Sequence, residues 1–116
     1  MTVTGPLRVL EYVTADGRIP FREWLAALDG TARARIQARV LRFSTGNLGD
    51  HKAVGNGVHE ARVMFGPGYR IYFGKHGREL VVLLVGGDKS TQTRDIRRAE
   101  EYWTDYLKAN DHGTKK

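Results

Sequence analysis

The stretch GPGYRIYFGKHGRELVVLLVGGDKSTQTRDIRRAE, residues 66–100, decides the fold because it predicts two neighbouring strands and the helix that follows them. Residues 69–74 and 79–85 are rich in aromatic and β-branched side chains, and the short connection KHGR makes them antiparallel neighbours. The run LVVLLV is apolar at every position, which predicts a central strand that is buried on both faces. Each face of the sheet therefore needs a covering layer.

The segments on either side supply those layers. Residues 7–14 predict a strand, Pro20 suits the first position of a helix, and Asp29-Gly30 breaks that helix before a second one capped by Thr31. Residues 44–57 contain four glycines and predict a loop, residues 58–65 predict a strand, and residues 91–108 predict the last helix. The side chains expected to be buried are Ala32, Ile36, Val40 and Phe43 on the second helix, and Ile96, Ala99, Trp103, Tyr106 and Leu107 on the last.

These elements predict an α+β fold in the order β-α-α-β-β-β-α. We expect a small, twisted, mainly antiparallel sheet with an N-terminal helical hairpin on one face and a C-terminal helix near the other. Residues 1–110 are interpreted as one domain, because 116 residues suffice for one core and neither a linker nor a repeat is recognisable. Residues 111–116, DHGTKK, are predicted to form a flexible basic tail.

The composition excludes several kinds of site. The chain has no cysteine, which excludes disulfides, thiolate catalysis and cysteine zinc sites. The four histidines (His51, His59, His76, His112) are scattered, so neither a metal site nor another cofactor is predicted. No apolar run approaches the roughly 18–20 residues that cross a bilayer, and no signal peptide is recognisable, so we expect a cytoplasmic protein without a membrane partner. Lys and Arg number 19 against 13 Asp and Glu, and the net charge of +6 favours a polyanionic partner over a charge that serves solubility alone.

The alternation of side chains along strands places a polar group on one face of the sheet. Glu60 and Arg62 share one face of their strand, and Arg70 and Tyr72 share the corresponding face of the next. Two interpretations are open. Either Arg62 pairs with Glu60 while Arg70 reaches water, or both arginines line a cationic groove for an anion.

The junction GGDKSTQ brings a third cation, Lys89, to the same end of the sheet. The pair Gly86-Gly87 lets the backbone bend or approach closely, and the N-terminus of the following helix attracts anions. The hydrogen-bonding side chains of this junction are Ser90, Thr91, Gln92 and Thr93, of which Ser90 or Thr91 also suits a plain helix cap. Three cations around one pocket suit a phosphodiester.

The second helix carries a further basic stripe formed by Arg35, Arg39 and Arg42. The spacing i, i+4, i+7 places the three side chains on one helix face. The stripe is either an ordinary solvated face or a strip that contacts the phosphate backbone of a nucleic acid.

Three motifs carry a resemblance to a known family: GVHEARV at residues 57–63, GPGYRIYF at 66–73, and GGDKSTQ with the following Asp95, Ile96 and Ala99. In this order they closely resemble the addiction-module killer branch of the RelE/ParE toxin superfamily, which includes HigB-like toxins and phage-derived relatives. The resemblance extends from about residue 7 to residue 106. It implies a RelE/ParE-like fold and a type II toxin that cleaves mRNA in the ribosomal A site and thereby inhibits translation.

The resemblance also implies which residues act. It places phosphate-binding and catalytic cations at Arg62, Arg70 and Lys89 in a ribonuclease without a metal. We assign the transfer of the 2′-OH proton to Lys52 or Tyr72. The residues expected to contact RNA are Arg35, Arg39, Arg42, Glu60 and Gln92.

The partners implied by the resemblance are mRNA, the ribosome and a cognate antitoxin, usually a helix-turn-helix protein encoded next to the toxin. Two alternatives remain open. Some members of the superfamily, the ParE type, inhibit DNA gyrase without cleaving RNA, and a degenerate member would only bind its antitoxin. A convergent cationic site favours the ribonuclease, because an inhibitor that acts through protein contacts has no need of it.

Overall fold

The computed structural model describes residues 6–77 and 80–110. Within this part of the chain, five strands and three α-helices follow the order β-α-α-β-β-β-β-α, so the predicted fold class is confirmed with one additional strand. The elements are β1 (Arg8–Glu11), α1 (Pro20–Ala26), α2 (Gly30–Ser44), β2 (His51–Gly55), β3 (Val58–Val63), β4 (Tyr69–His76), β5 (Leu80–Asp88) and α3 (Gln92–Ala109), with a 3-10 turn (Lys89–Thr91) before α3. The predicted start of the fifth strand at Glu79 and the predicted tail lie outside the described residues.

The strands form one mixed sheet in the order β1-β5-β4-β3-β2. The consecutive strands β2 to β5 pair antiparallel, as predicted for β3, β4 and β5, and β1 joins β5 in parallel. The strand β5 is buried on both faces from Val81 to Val85, which confirms the prediction from LVVLLV. It is an interior strand, but the middle position belongs to β4 because β1 and β2 occupy the edges.

The prediction of a loop over residues 44–57 is wrong in its second half, where β2 forms a hairpin with β3. Asn56 and Gly57 connect the two strands with φ values of 54° and 83°, the backbone that a two-residue type I′ turn requires. The glycine content concealed this edge strand, which buries little apolar surface. The Asn-Gly dipeptide was the local signal for it.

The helical hairpin begins as the sequence predicts, with one difference at its second helix. Pro20 occupies the first turn of α1. Asp29 caps α2, because its Oδ1 atom accepts a hydrogen bond from the Ala32 amide at 2.9 Å, and the predicted cap Thr31 lies inside the helix. The helix α2 therefore starts at Gly30.

The two faces of the sheet carry separate apolar cores. On one face, Phe21, Ile36 and Phe43 of the helical hairpin pack against β3, β4 and β5. On the other face, Ala99 and Trp103 of α3 pack against the same strands, as predicted. The remaining predicted side chains of α3 are less enclosed: Ile96 and Tyr106 are half-buried, and Leu107 is exposed. None of the helices within residues 6–77 and 80–110 combines the length and apolarity of a membrane span.

Candidate functional site

Arg70 lies on the floor of the site, at the end of β4 that faces the start of α3. Its side chain is only 10% exposed, and its Nη1 atom donates a hydrogen bond to the Gly68 carbonyl at 3.0 Å. Its Nε atom lies 3.7 Å from Oε2 of Glu60 on the neighbouring strand. The Nη2 atom bonds no acceptor in the described part of the chain and is not enclosed, so it can meet a ligand. The Arg70 guanidinium is therefore fixed by Gly68 and Glu60, and its Nη2 atom is available to a ligand.

Glu60 lies below Arg70 and is fully buried. Its Oε2 atom accepts hydrogen bonds from the Tyr72 hydroxyl at 3.1 Å and from Nε2 of Gln92 at 2.6 Å. Its Oε1 atom is buried and has no hydrogen-bond partner among residues 6–77 and 80–110. A buried carboxylate is costly unless charges and donors surround it. Glu60 therefore ties β3, β4 and α3 together and is too enclosed for the RNA contact predicted for it.

Tyr72 does not fit the predicted role in proton transfer. Its side chain is fully buried, and its hydroxyl is already bonded to Glu60. Burial, followed by the charge of Glu60 and the hydrogen bond to it, raises the pKa of the Tyr72 hydroxyl. The phenol therefore stays protonated, and its hydroxyl donates a hydrogen bond to Glu60.

The turn before α3 brings Lys89 to the same place as Arg70. Lys89 is exposed, and its Cβ atom would lie 3.6 Å from a Cβ placed on Gly68, the residue whose carbonyl holds Arg70. Such a Cβ would also lie 3.3 Å from Nη1 of Arg70. The guanidinium of Arg70 and the Cβ of Lys89 thus both lie beside Gly68, which has a φ of 81° and carries no side chain that would crowd them.

Asp88, and not Ser90 or Thr91, caps this turn. The Asp88 carboxylate accepts hydrogen bonds from the Ser90 amide at 2.8 Å and the Ser90 hydroxyl at 2.6 Å. These bonds to Ser90 lower the pKa of Asp88. Thr91 completes a capping box by accepting a bond from the Asp88 amide at 3.3 Å. The cap orients the turn, and Lys89 within it is exposed.

The pair Gly86-Gly87 belongs to β5 and does not form the predicted bend. The two glycines instead fill the other predicted role, because neighbouring side chains approach their backbone closely. A Cβ on Gly86 would collide with the ring of Trp24 on one face of the sheet. A Cβ on Gly87 would collide with the carboxylate of Asp95 on the other face. Asp95 is fully buried and accepts a hydrogen bond from Thr91. The two glycines therefore let both helical layers approach the end of β5.

Arg62 lies directly opposite Arg70 on the adjacent strand, but its guanidinium group turns the other way. Its Nη2 atom forms an ion pair with Asp50 at 3.1 Å, just before the edge strand β2. Both side chains are partly exposed, and the hydrogen bond from Arg62 lowers the pKa of Asp50. The sequence did not predict this partner. Arg62 therefore belongs to the rim of the site and is partly neutralised there.

Lys52 is exposed on β2 and lies opposite Glu60 in the register of the sheet. Because β3 separates it from β4, it is two strands away from Arg70. Directly paired residues share a face of the sheet, so Lys52 lies on the same face as Glu60, and its assigned role in proton transfer stays a prediction.

The predicted basic stripe of α2 is interrupted, because Arg39 is buried. Its guanidinium group donates hydrogen bonds to the carbonyls of Arg62 at 2.7 Å, Asp50 at 2.8 Å and Leu48 at 3.1 Å. Burial, and then the charge of Arg42, lowers the pKa of Arg39. Arg39 thus holds the start of the β2–β3 hairpin, and its assignment as an RNA contact is wrong.

The two other arginines of the stripe are exposed on the helical-hairpin side of the sheet. The Arg35 guanidinium stacks over the Phe65 ring, 4.3 Å from its centroid. Phe65 follows β3, so Arg35 lies near the end of the sheet that carries Arg70, but on the opposite face. Arg35 and Arg42 remain candidates for contacts outside the site.

A cleft of about 440 Å³ opens beside Lys89 at the first turn of α3. Two cations that the sequence analysis did not assign, Arg94 and Arg97, border it. Their i, i+3 spacing within the first turns of the last helix was the available signal. The cleft is lined by Lys89, Ser90, Thr91, Gln92, Thr93, Arg94 and Arg97. Three cations at a helix N-terminus favour an anion there.

The site is thus a cationic floor and cleft at the junction of β4, β5 and α3. No family model matches the sequence. Over 83 residues, 71% of this chain and 84% of the relative, the chain is 46% identical to a protein of Haemophilus influenzae described as uncharacterized. The chain belongs to the same family as that protein.

Proposed function

We propose that this protein is the toxin of a type II toxin–antitoxin system and that it cleaves mRNA on the ribosome. The observation that carries the proposal is that Arg70 and the Cβ of Lys89 meet at Gly68, and that Lys89 also lines the cationic cleft of α3. The five-stranded sheet between a helical hairpin and a C-terminal helix has the RelE-like layout. A fold alone does not define an activity, so the cations carry the argument.

The chemistry that suits this arrangement is attack by the 2′-OH of RNA on the adjacent phosphate. The 2′-OH gives its proton to Lys52 or to solvent water while its oxygen forms a bond to phosphorus. The bond from phosphorus to the 5′ oxygen of the next nucleotide breaks, and that oxygen takes a proton from water. The products are a 2′,3′-cyclic phosphate and a 5′-OH. The accessible Nη2 atom of Arg70 and the ammonium of Lys89 would stabilise the charge that builds on the phosphate and on the leaving oxygen.

Of the two residues assigned to accept the 2′-OH proton, only Lys52 remains available. Tyr72 is buried and bonded to Glu60, and Lys52 lies two strands from Arg70. The proposed catalysis therefore relies chiefly on positioning and charge stabilisation by the protein. The burial of Tyr72 and the separation of Lys52 from Arg70 also support a second candidate. It is a non-catalytic toxin of the ParE type that inhibits DNA gyrase or another protein.

The proposed partner is an antitoxin encoded beside the toxin gene, usually with a helix-turn-helix domain. A chain with a net charge of +6 and three cations around one cleft favours an acidic segment of that antitoxin. Co-expression with the adjacent small gene should yield a complex in which Lys89 is shielded from acylating reagents.

The deciding experiment combines purified protein, ribosomes programmed with a defined mRNA, and a parallel gyrase supercoiling assay. The proposal predicts new mRNA 5′ ends with the wild type and their loss with Lys89→Gln, while Lys108→Gln on the far end of α3 behaves as the wild type. Intact mRNA together with inhibited gyrase would replace the ribonuclease with the second candidate. Intact mRNA and active gyrase would refute the ribonuclease and the gyrase inhibitor.

A further inference from the structure

Gln92 is the first residue of α3, and the nitrogen of its side-chain amide is already hydrogen-bonded within the protein. Its Nε2 atom donates to the Oε2 atom of Glu60 at 2.6 Å, and Glu60 is fully buried. A carboxylate accepts hydrogen bonds and donates none, so the contact fixes which end of the amide faces inward. A contact of Gln92 with RNA is predicted from the sequence, but the amide nitrogen is not available for it because it bonds Glu60.

The other end of the amide, Oε1, faces away from Glu60. It accepts no hydrogen bond from residues 6–77 and 80–110 and is not among the enclosed polar atoms. Gln92 also lines the cleft beside Lys89. Gln92 therefore carries an accessible carbonyl-type acceptor and lines a cleft whose charged members, Lys89, Arg94 and Arg97, can only donate.

A fixed acceptor in an anion cleft is unsuited to the phosphate itself, because two oxygen acceptors repel each other. It suits a neutral donor that lies next to the phosphate. We propose, on the basis of the proposed function, that Gln92 determines specificity by accepting a hydrogen bond from a nucleotide donor, either the ribose 2′-OH or an exocyclic base amine. Glu60 is the positioning residue that fixes the direction of the Gln92 amide.

The expected size of the effect follows from one neutral hydrogen bond. Such a bond changes an equilibrium constant by roughly threefold to tenfold. The probes are inorganic phosphate, the four ribonucleoside 3′-monophosphates, their 2′-deoxy counterparts and inosine 3′-monophosphate. Their dissociation constants are measured by NMR titration, which requires no cleavage, on the wild type, Gln92→Met, Glu60→Gln and Lys89→Gln.

The wild type should bind ribonucleotides more tightly than deoxynucleotides if the donor is the 2′-OH, or guanosine more tightly than inosine if it is the base amine. Gln92→Met should bring the affected ratio to about one while its affinity for inorganic phosphate is unchanged. Glu60→Gln should lower the same ratio, because the amide of Gln92 is then free to flip. Thermal unfolding establishes that each variant is folded, and Glu60→Gln serves as the second test should Gln92→Met unfold.

Two results overturn the inference in distinguishable ways. Equal ratios in the wild type and in Gln92→Met, with phosphate binding that depends on Lys89, would remove Gln92 from recognition and leave the proposed function standing. Failure of phosphate and of every nucleotide to bind the wild type would remove the inference, while the cleavage assay on ribosomes decides the proposed function separately.

Discussion

The Nε atom of Arg70 lies 3.7 Å from the Oε2 atom of Glu60, and both side chains are almost fully withdrawn from water. This pairing changes the balance of charge at the site. If the buried part of the site contained only cations, the charge of Arg70 would destabilise the folded protein. Because Glu60 is a buried carboxylate, the folded protein is instead stabilised by a cation beside it. Arg70 therefore pairs with Glu60 inside the protein, and its Nη2 atom remains accessible from outside.

The first prediction concerns this pair. Arg70→Ala should lower the free energy of unfolding by about 3 kcal/mol, because it leaves a buried carboxylate without its cation. The double variant Arg70→Ala, Glu60→Gln should recover part of that loss, since the remaining amide carries no charge. Urea unfolding of the four proteins of the double-mutant cycle measures both effects. A destabilisation that is the same with and without Glu60 would show that the two side chains are not coupled.

The second prediction separates function from stability at Lys89. Because Lys89 is exposed, Lys89→Gln should change the unfolding free energy by less than about 0.5 kcal/mol. If the proposed function holds, the rate of mRNA cleavage on ribosomes should fall by about 100-fold or more, the size typical of losing one stabiliser of transition-state charge. Lys108→Gln, also exposed on α3, provides the control for net charge. Equal rates for the two variants would contradict a role for Lys89.

The third prediction concerns Asp50, which holds Arg62 at 3.1 Å. Asp50→Asn should free Arg62 and raise the affinity for inorganic phosphate or RNA by about twofold to fivefold, the range expected for a partly exposed ion pair. Glu101→Gln is the matched control, because it adds the same net charge on the outer face of α3. Equal gains for both variants would indicate a general charge effect and would place Arg62 outside the site.

The fourth prediction is a dependence of stability on pH through His59. Burial, followed by the charges of Lys75 and His51, lowers the pKa of His59 from 6.5. The unfolded chain therefore binds a proton before the folded one, so the stability due to neutral His59 is present above about pH 6.5 and is lost as the pH falls through the folded pKa.

Urea unfolding between pH 5 and pH 8 measures this loss. The substitution His59→Phe keeps an aromatic ring against Phe73, on which His59 stacks at a centroid distance of 5.5 Å. It should flatten the pH profile between pH 5 and pH 7, including the part that arises from the repulsion between His59 and His51. An unchanged profile would contradict the assignment to His59.

The fifth prediction tests the close approach of α3 to the end of β5. A methyl group on Gly87 would collide with the buried Asp95 carboxylate, so Gly87→Ala should cost about 1–3 kcal/mol of stability. Gly30→Ala is the matched control: no atom lies within 4 Å of the added Cβ, and the backbone there does not have a positive φ. It should be neutral or stabilising by less than about 1 kcal/mol. Equal stabilities of the two variants would contradict the packing described for Asp95.

The sequence by itself determined the layers of this protein. The apolar run of β5, the alternating strands β3 and β4 and the amphipathic α3 each bury a recognisable set of side chains, and their periods are local properties of the chain. The turn signals between them predicted the antiparallel order. The side-chain pattern did not reveal β2, because an exposed edge strand is held by backbone hydrogen bonds; the Asn56-Gly57 dipeptide was the local signal for it.

Only the tertiary structure decided what the polar residues do. Arg39 and Arg35 belong to one stripe in the sequence, yet three backbone carbonyls enclose the first and an aromatic ring holds the second at the surface. Arg62 and Arg70 are equivalent by alternation, yet Asp50 turns one outward and Glu60 holds the other inside. A long polar side chain goes where distant partners compensate its charge, and the chain neighbours of a residue do not specify those partners.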